Sequence, residues 1–209
     1  MRSLFAVLLV AGCQHDISTP FPPGLEPLED NPLPVEQGGD RMEVLVTSAD
    51  DTDYIHIYGR GYALAPPATV WAGTKDPQRV VAVCSTDQQQ ITPDNDPDYE
   101  FSFLVHYVVN DVLTVEWDDQ WRWGTIEGTP DDPMLGMIKH QKIQGSSFIS
   151  LSEGTFQILA TDDPNVTQID FVEHLDAASG SDGDVIKGMQ HNYASIIAAA
   201  HGNPIPPCP

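Results

Sequence analysis

From Glu100 to Asp176 the chain reads almost without interruption as β-strand, and the one long helical pattern comes only after it. Phe101, Phe103, Val105 and Tyr107 alternate with Ser102, Leu104 and His106; Asn110-Asp111 makes a turn; and the pattern resumes from Val112 to Trp123. Further strands are expected at 135–143, 147–160 and 166–176, divided by Gly145-Ser146 and by Asp162-Asp163-Pro164-Asn165. Val185, Ile186, Met189, Tyr193, Ile196, Ile197 and Ala200 then recur at helical spacing, with Asp184 placed to cap the start and Gly202 the end. A meander of antiparallel strands has one face to bury, and this helix is the element that can cover it. The expected class is therefore α+β.

Upstream, 42–47 and 54–64 are rich in β-branched and aromatic residues and are expected as strands. Between Ala65 and Pro77 a short helix is expected, because proline suits a first helical turn and Pro77 stops the run; a second short element follows near Arg79–Val83. The entry Gly61-Tyr62-Ala63-Leu64-Ala65-Pro66-Pro67-Ala68-Thr69-Val70-Trp71, with Asp76-Pro77 after it, resembles the opening of START-like, polyketide-cyclase-type (SRPBCC) domains. With the meander and the final helix, the resemblance covers roughly residues 50–202. It implies a helix-grip fold: a curved antiparallel sheet around the C-terminal helix, with an apolar cavity between them. The strand expected at 42–47 lies outside that pattern.

The N-terminus carries a different message. Leu4 to Val10 is an apolar run after Arg2, too short for the roughly 20 residues that span a bilayer but suited to an export signal. Leu9-Val10-Ala11-Gly12-Cys13 resembles the lipobox of bacterial lipoproteins, which implies residues 1–12 as signal peptide, Cys13 as the acylated first residue, and a place in the bacterial envelope. Gln14, rather than aspartate, follows the cysteine, and the resemblance then favours the outer membrane. In an oxidising compartment, with Cys13 acylated, Cys84 and Cys208 are left to pair with each other. Residues 13–40, with prolines at 20, 22, 23, 27, 32 and 34, are expected as an extended acidic tether, and 41–209 as the folded domain with a C-terminal tail.

Within the meander, Glu116-Trp117-Asp118-Asp119-Gln120-Trp121-Arg122-Trp123 puts three indoles on one face of a strand. They form either an aromatic wall for a hydrophobic ligand or ordinary packing beneath the helix. Asp119 shares that face, so either a bulge shifts the register or a carboxylate enters the interior, where desolvation would raise its pKa. Trp117, Trp121, Trp123 and Phe171 on the strands, with Met189 and Tyr193 on the helix, are the candidate ligand contacts.

Other chemistries find little support. Nine basic residues stand against 31 acidic ones, a net charge of −22, which repels phosphate backbones and argues against a nucleic-acid partner. There is no His-Glu-x-x-His pair, no Gly-x-Ser-x-Gly elbow and no phosphate loop, and no cofactor or resident metal is expected. Adjacent strands could gather His106, His140 and His174, but solvated or hydrogen-bonded histidines are the default. Asp94 to Glu100 supplies oxygens without the glycine of a calcium loop.

Three functions fit. The first is a membrane-anchored binder of a hydrophobic small molecule or lipid. The second is a cyclase- or hydrolase-type enzyme using an interior carboxylate or histidine. The third is an envelope interaction module with a filled core. An apolar open pocket favours the first, ionisable groups lining an open pocket favour the second, and a closed core favours the third. Oligomeric state is left open.

Overall fold

The computed structural model describes residues 16–51, 53–81, 84, 86–110 and 113–208. Cys13 and the rest of the lipobox-like segment lie outside them. Nine strands and three helices follow in the order β1 (Asp16–Ser18), β2 (Val46–Asp51), β3 (Ile55–Ala63), α1 (Pro67–Thr74), α2 (Pro77–Val80), β4 (Gln88–Asp94), β5 (Phe101–Asn110), β6 (Thr114–Thr129), β7 (Asp132–Ser146), β8 (Ile149–Ala160), β9 (Thr167–Ala177) and α3 (Asp182–Ala200). A single-turn 3-10 helix occupies Gly38–Asp40. Among the described residues no helix is long and apolar enough to cross a membrane.

The sheet order is β2-β3-β9-β8-β7-β6-β5-β4, antiparallel throughout, with β1 pairing β7 off that path. This is the expected curved antiparallel sheet gripping a C-terminal helix, the START-like helix-grip architecture. Period two sends Ile57, Phe103, Val105, Trp121, Trp123, Ile138, Phe156 and Phe171 to the inner face, where all are buried with Met189, Tyr193 and Ile196 of α3. Helix α3 is capped by Ser181, whose hydroxyl accepts from the Asp184 amide, three residues before the Asp184 cap expected. Its close seat on β3 depends on two glycines: a Cβ at Gly59 would lie 2.4 Å from Met189 Sδ, and one at Gly61 2.6 Å from the Tyr193 ring.

The structure departs further from the sequence pattern in its N-terminal half. The strand expected at 42–47 begins at Val46, because the hairpin with β3 fixes pairing from Val46↔Arg60 to Asp51↔Ile55, and Met42 and Val44 stay exposed. Strand β4 was not foreseen: its polar Gln-Gln-Gln start carries no alternation, yet β5 offers it a free edge. The largest difference concerns the Pro-rich segment. Its first residues pair with β7 as β1, and residues 20–37 form a strap laid across the outer face of the sheet, not a free spacer.

Its course follows hydrogen bonds that prolines cannot make for themselves. Phe21 lies under the Arg122 guanidinium at 4.2 Å, and the Glu26 carbonyl accepts from Lys139 Nζ at 3.2 Å. The outward residues of β3 then take successive partners: His56 and Tyr58 meet the Glu29 carboxylate, Arg60 donates to the Leu33 carbonyl, and the Tyr62 hydroxyl accepts from the Glu36 amide. Asn31 Nδ2 donates to the Gly59 carbonyl at 2.8 Å. Beneath the strap, Arg60 and Asp170 form a two-pronged buried ion pair, with Nε–Oδ1 at 2.8 Å. At the other end of the chain, Cys84 and Cys208 are joined as a disulfide, Cα to Cα 5.5 Å, fastening the tail beside α2.

Candidate functional site

Between the inner face of the sheet and the first half of α3 lies a cavity of about 380 Å³, open at one end of the molecule. That volume falls in the range of small-molecule sites, roughly 300–1,000 Å³. The end of β5, the start of β6, the β7–β8 turn and the approach to α3 frame its mouth, with Val109, Val115, Phe148, Ile149 and Ala177 on the rim. The walls are mostly apolar, and Trp117 stacks on Tyr107 at 4.9 Å within them.

The floor is ionisable. Asp119, His140 and Glu173 all line the cavity and come from three different strands. Asp119 follows from the period of β6. The register shift near Asp118 falls on β7, where Asp118 faces Gln144 and Asp119 faces Lys142, so the alternation of β6 survives and its carboxylate enters with the tryptophans. His140 and Glu173 stand on β7 and β9 with β8 between them. They meet because the intervening residue is Gly154, paired to both. A Cβ there would sit 2.2 Å from His140 Nε2 and 2.4 Å from Glu173 Oε2. In the space it leaves, His140 Nε2 bonds Glu173 Oε2 at 3.0 Å.

The other ring nitrogen is nearly paired. His140 Nδ1 lies 3.8 Å from Asp119 Oδ2, beyond hydrogen-bond reach, and neither His140 Nδ1 nor Asp119 Oδ1 has a hydrogen-bond partner among the described residues. Trp121 stacks on the imidazole at 4.2 Å and 15°, fixing its plane. Burial pushes the Asp119 carboxyl up to about 7, with nearby Glu173 adding to the effect and His140 opposing it. For His140, burial favours the neutral ring, but the charge and hydrogen bond of Glu173 outweigh it and raise the imidazole above its ordinary value. A buried carboxyl near neutrality beside an oriented imidazole with a vacant nitrogen can give or take a proton, or hold a polar group of a bound molecule.

The expected contact residues divide. Trp117, Trp121 and Met189 line the cavity. Trp123, Phe171 and Tyr193 do not: Trp123 packs with Phe101 and Phe103, Phe171 against Phe156, and the Tyr193 hydroxyl donates to the Tyr62 carbonyl at 2.6 Å. The three histidines considered together are kept apart. His106 bonds Asp118 at 2.7 Å on the outer face of β5 and β6, His140 points inward, and His174 points outward to the strap. Neighbouring strand positions face opposite ways, so His140, across from Glu173, cannot share a face with His174. Glu173 carries no signal in the sequence, since its partner His140 lies two strands away, across Gly154.

Neither a protein-family model nor a curated protein matches the chain. Solved structures do. The chain is similar to human StAR-related lipid transfer protein 5, with a TM-score of 0.53 at 11% identity over 78% of this chain and 85% of that one. It is also similar to the lipid transfer and protein localization domain of human StarD13 (TM-score 0.49, 12% identity, 78% and 86% covered). A third is the Zhui aromatase/cyclase from Streptomyces sp. R1128 (TM-score 0.45, 13% identity, 70% and 91% covered). The first of these likenesses bears on the fold, and supports the helix-grip architecture described above.

Proposed function

We propose that the chain binds a hydrophobic small molecule or lipid in the cavity between the sheet and α3. The observation that carries this reading is the cavity itself: about 380 Å³, open, walled by Trp117, Trp121 and Met189. An open cavity of this kind disfavours the filled-core interaction module. Its floor adds a requirement, because Asp119 Oδ1 and His140 Nδ1 are buried without hydrogen-bond partners among the described residues, and a ligand with one hydroxyl or carbonyl at its inner end would satisfy them. The test is native mass spectrometry of the protein from its producing cells, followed by titration of a long-chain fatty acid and of a polycyclic aromatic hydroxyl compound while tryptophan emission is recorded. Saturable quenching that weakens in Trp117→Ala is expected. No co-purified species and no quenching by either probe would overturn the reading.

The ionisable floor favours a second reading, an enzyme that transfers protons through Asp119 and His140 on a ligand held by the same walls. A ligand recovered with altered mass, with that alteration lost in His140→Gln while the unaltered ligand is still recovered bound, would select it over a carrier. We also propose attachment to the bacterial envelope through lipid on Cys13, supported by Leu9-Val10-Ala11-Gly12-Cys13. Incorporation of a labelled fatty acid that is lost in Cys13→Ala is the expected result; incorporation that persists would refute it.

A further inference from the structure

We propose that Glu29, His56 and His174 bind one divalent transition-metal ion of the zinc type on the outer face of the sheet, pinning the strap to β3 and β9. The pairing His56↔His174 sets two imidazoles side by side on adjacent strands, and the strap delivers a carboxylate between them. Glu29 Oε1 lies 3.1 Å from His56 Nδ1 and 3.0 Å from His174 Nε2, and one donor atom from each residue lies within 4.8 Å of the others. Zinc bonds of about 2.0–2.1 Å in a tetrahedron place donor atoms about 3.3 Å apart, so the two carboxylate–imidazole spacings need to open by only a few tenths of an ångström, and the imidazole nitrogens already stand within 4.8 Å of each other.

Two imidazoles and a carboxylate suit zinc and disfavour calcium or magnesium, which take oxygen ligands. The surroundings match as well. His174 Nδ1 faces Glu153 Oε1 at 3.1 Å, the outer carboxylate contact that orients a metal-bound histidine. Tyr54 stacks on His56 at 4.3 Å and 14°, holding the second ring. Without a metal, Glu29 Oε1 must accept from His56, Tyr58 and His174 together, and both nitrogens of His174 must carry protons to serve two carboxylates. A metal relieves that crowding by replacing the protons on the two ligating nitrogens. The His174 side chain is 6% exposed and that of Glu29 36%, so the site is sheltered yet reachable from water. It lies on the opposite face of the sheet from the cavity and does not depend on the cavity's role. The other grouping, Cys84, His191 and Cys208, has its two sulfurs tied in the disulfide.

The test titrates zinc(II) into chelator-treated, non-reduced protein against a chromophoric chelator, and repeats it with cobalt(II) to read the ligand field. One equivalent per chain is expected, reduced at least tenfold in affinity in His56→Gln and in His174→Gln, and retained in His106→Gln. Circular dichroism of each variant without metal checks that it remains folded, and the partly exposed His56 gives the milder substitution. Absence of a bound equivalent, affinity unchanged in both folded variants, or binding abolished instead by His191→Gln would overturn the proposal.

Discussion

Gly154 is the residue on which the floor of the cavity turns. It has no side chain, and that absence lets groups on β7 and β9 touch across β8. Gly154→Ala should break the His140–Glu173 contact, since the new Cβ would lie 2.2 Å from Nε2. A loss of about 1–3 kcal/mol in denaturant unfolding is expected, typical of overpacking a tight interior. Asp119 provides a second residue-scale prediction. Its carboxyl moves from an ordinary value of 3.8 to about 7 in the folded protein, so folding takes up protons between those limits. Its contribution to stability is whole below about pH 4 and drains away as pH rises toward 7. His140, also raised, contributes with the same sign around neutrality. Asp119→Asn should therefore flatten the decline and raise stability at pH 7 by roughly 2–4 kcal/mol, read from melts across that range. Asp119 was legible in the sequence, because period two put it among the tryptophans. The His140–Glu173 pair was not, because it joins next-nearest strands across a glycine, and a glycine leaves no mark in a hydrophobic pattern.

At the scale of elements, the meander and α3 were legible because alternation and helical spacing report burial directly. The strap was not. Its prolines and acids look like a solvated spacer, yet its carbonyls, Glu29 and Asn31 serve polar groups on the outer face. No periodicity shows which polar surface will find a polar partner. The Arg60–Asp170 pair under the strap gives the clearest test. Both side chains are under 10% exposed, at 9% and 5%. Asp170→Asn would leave a guanidinium buried without its counter-charge, at a cost on the order of 3–5 kcal/mol. Thermal unfolding at neutral pH should show it, together with earlier proteolytic cleavage within residues 20–37. An unchanged melting temperature would mean that the strap lets water reach Arg60. The missed strand β4 belongs here too: it is held by the edge of β5 and not by its own composition.

For the whole molecule, the disulfide joins positions 124 residues apart and secures the tail against the α2 region. Opening it by Cys84→Ser with Cys208→Ser should lower stability by up to about 4–5 kcal/mol in the chain-entropy picture, measured against oxidised wild type, and should match that of reductant-treated wild type. The direction of β1 has a wider consequence. Asp16 pairs with Ser146 and Ser18 with Gln144, so the chain enters the fold at the end where the cavity opens and runs away from it. Three residue steps separate Cys13 from Asp16, a reach of about 10 Å at most. A fatty chain on Cys13 would thus moor the molecule by its open end, with Leu113 and Phe148 exposed nearby. On the proposed lipid-binding role, a ligand leaving the bilayer would then have about a nanometre to cover to the cavity mouth.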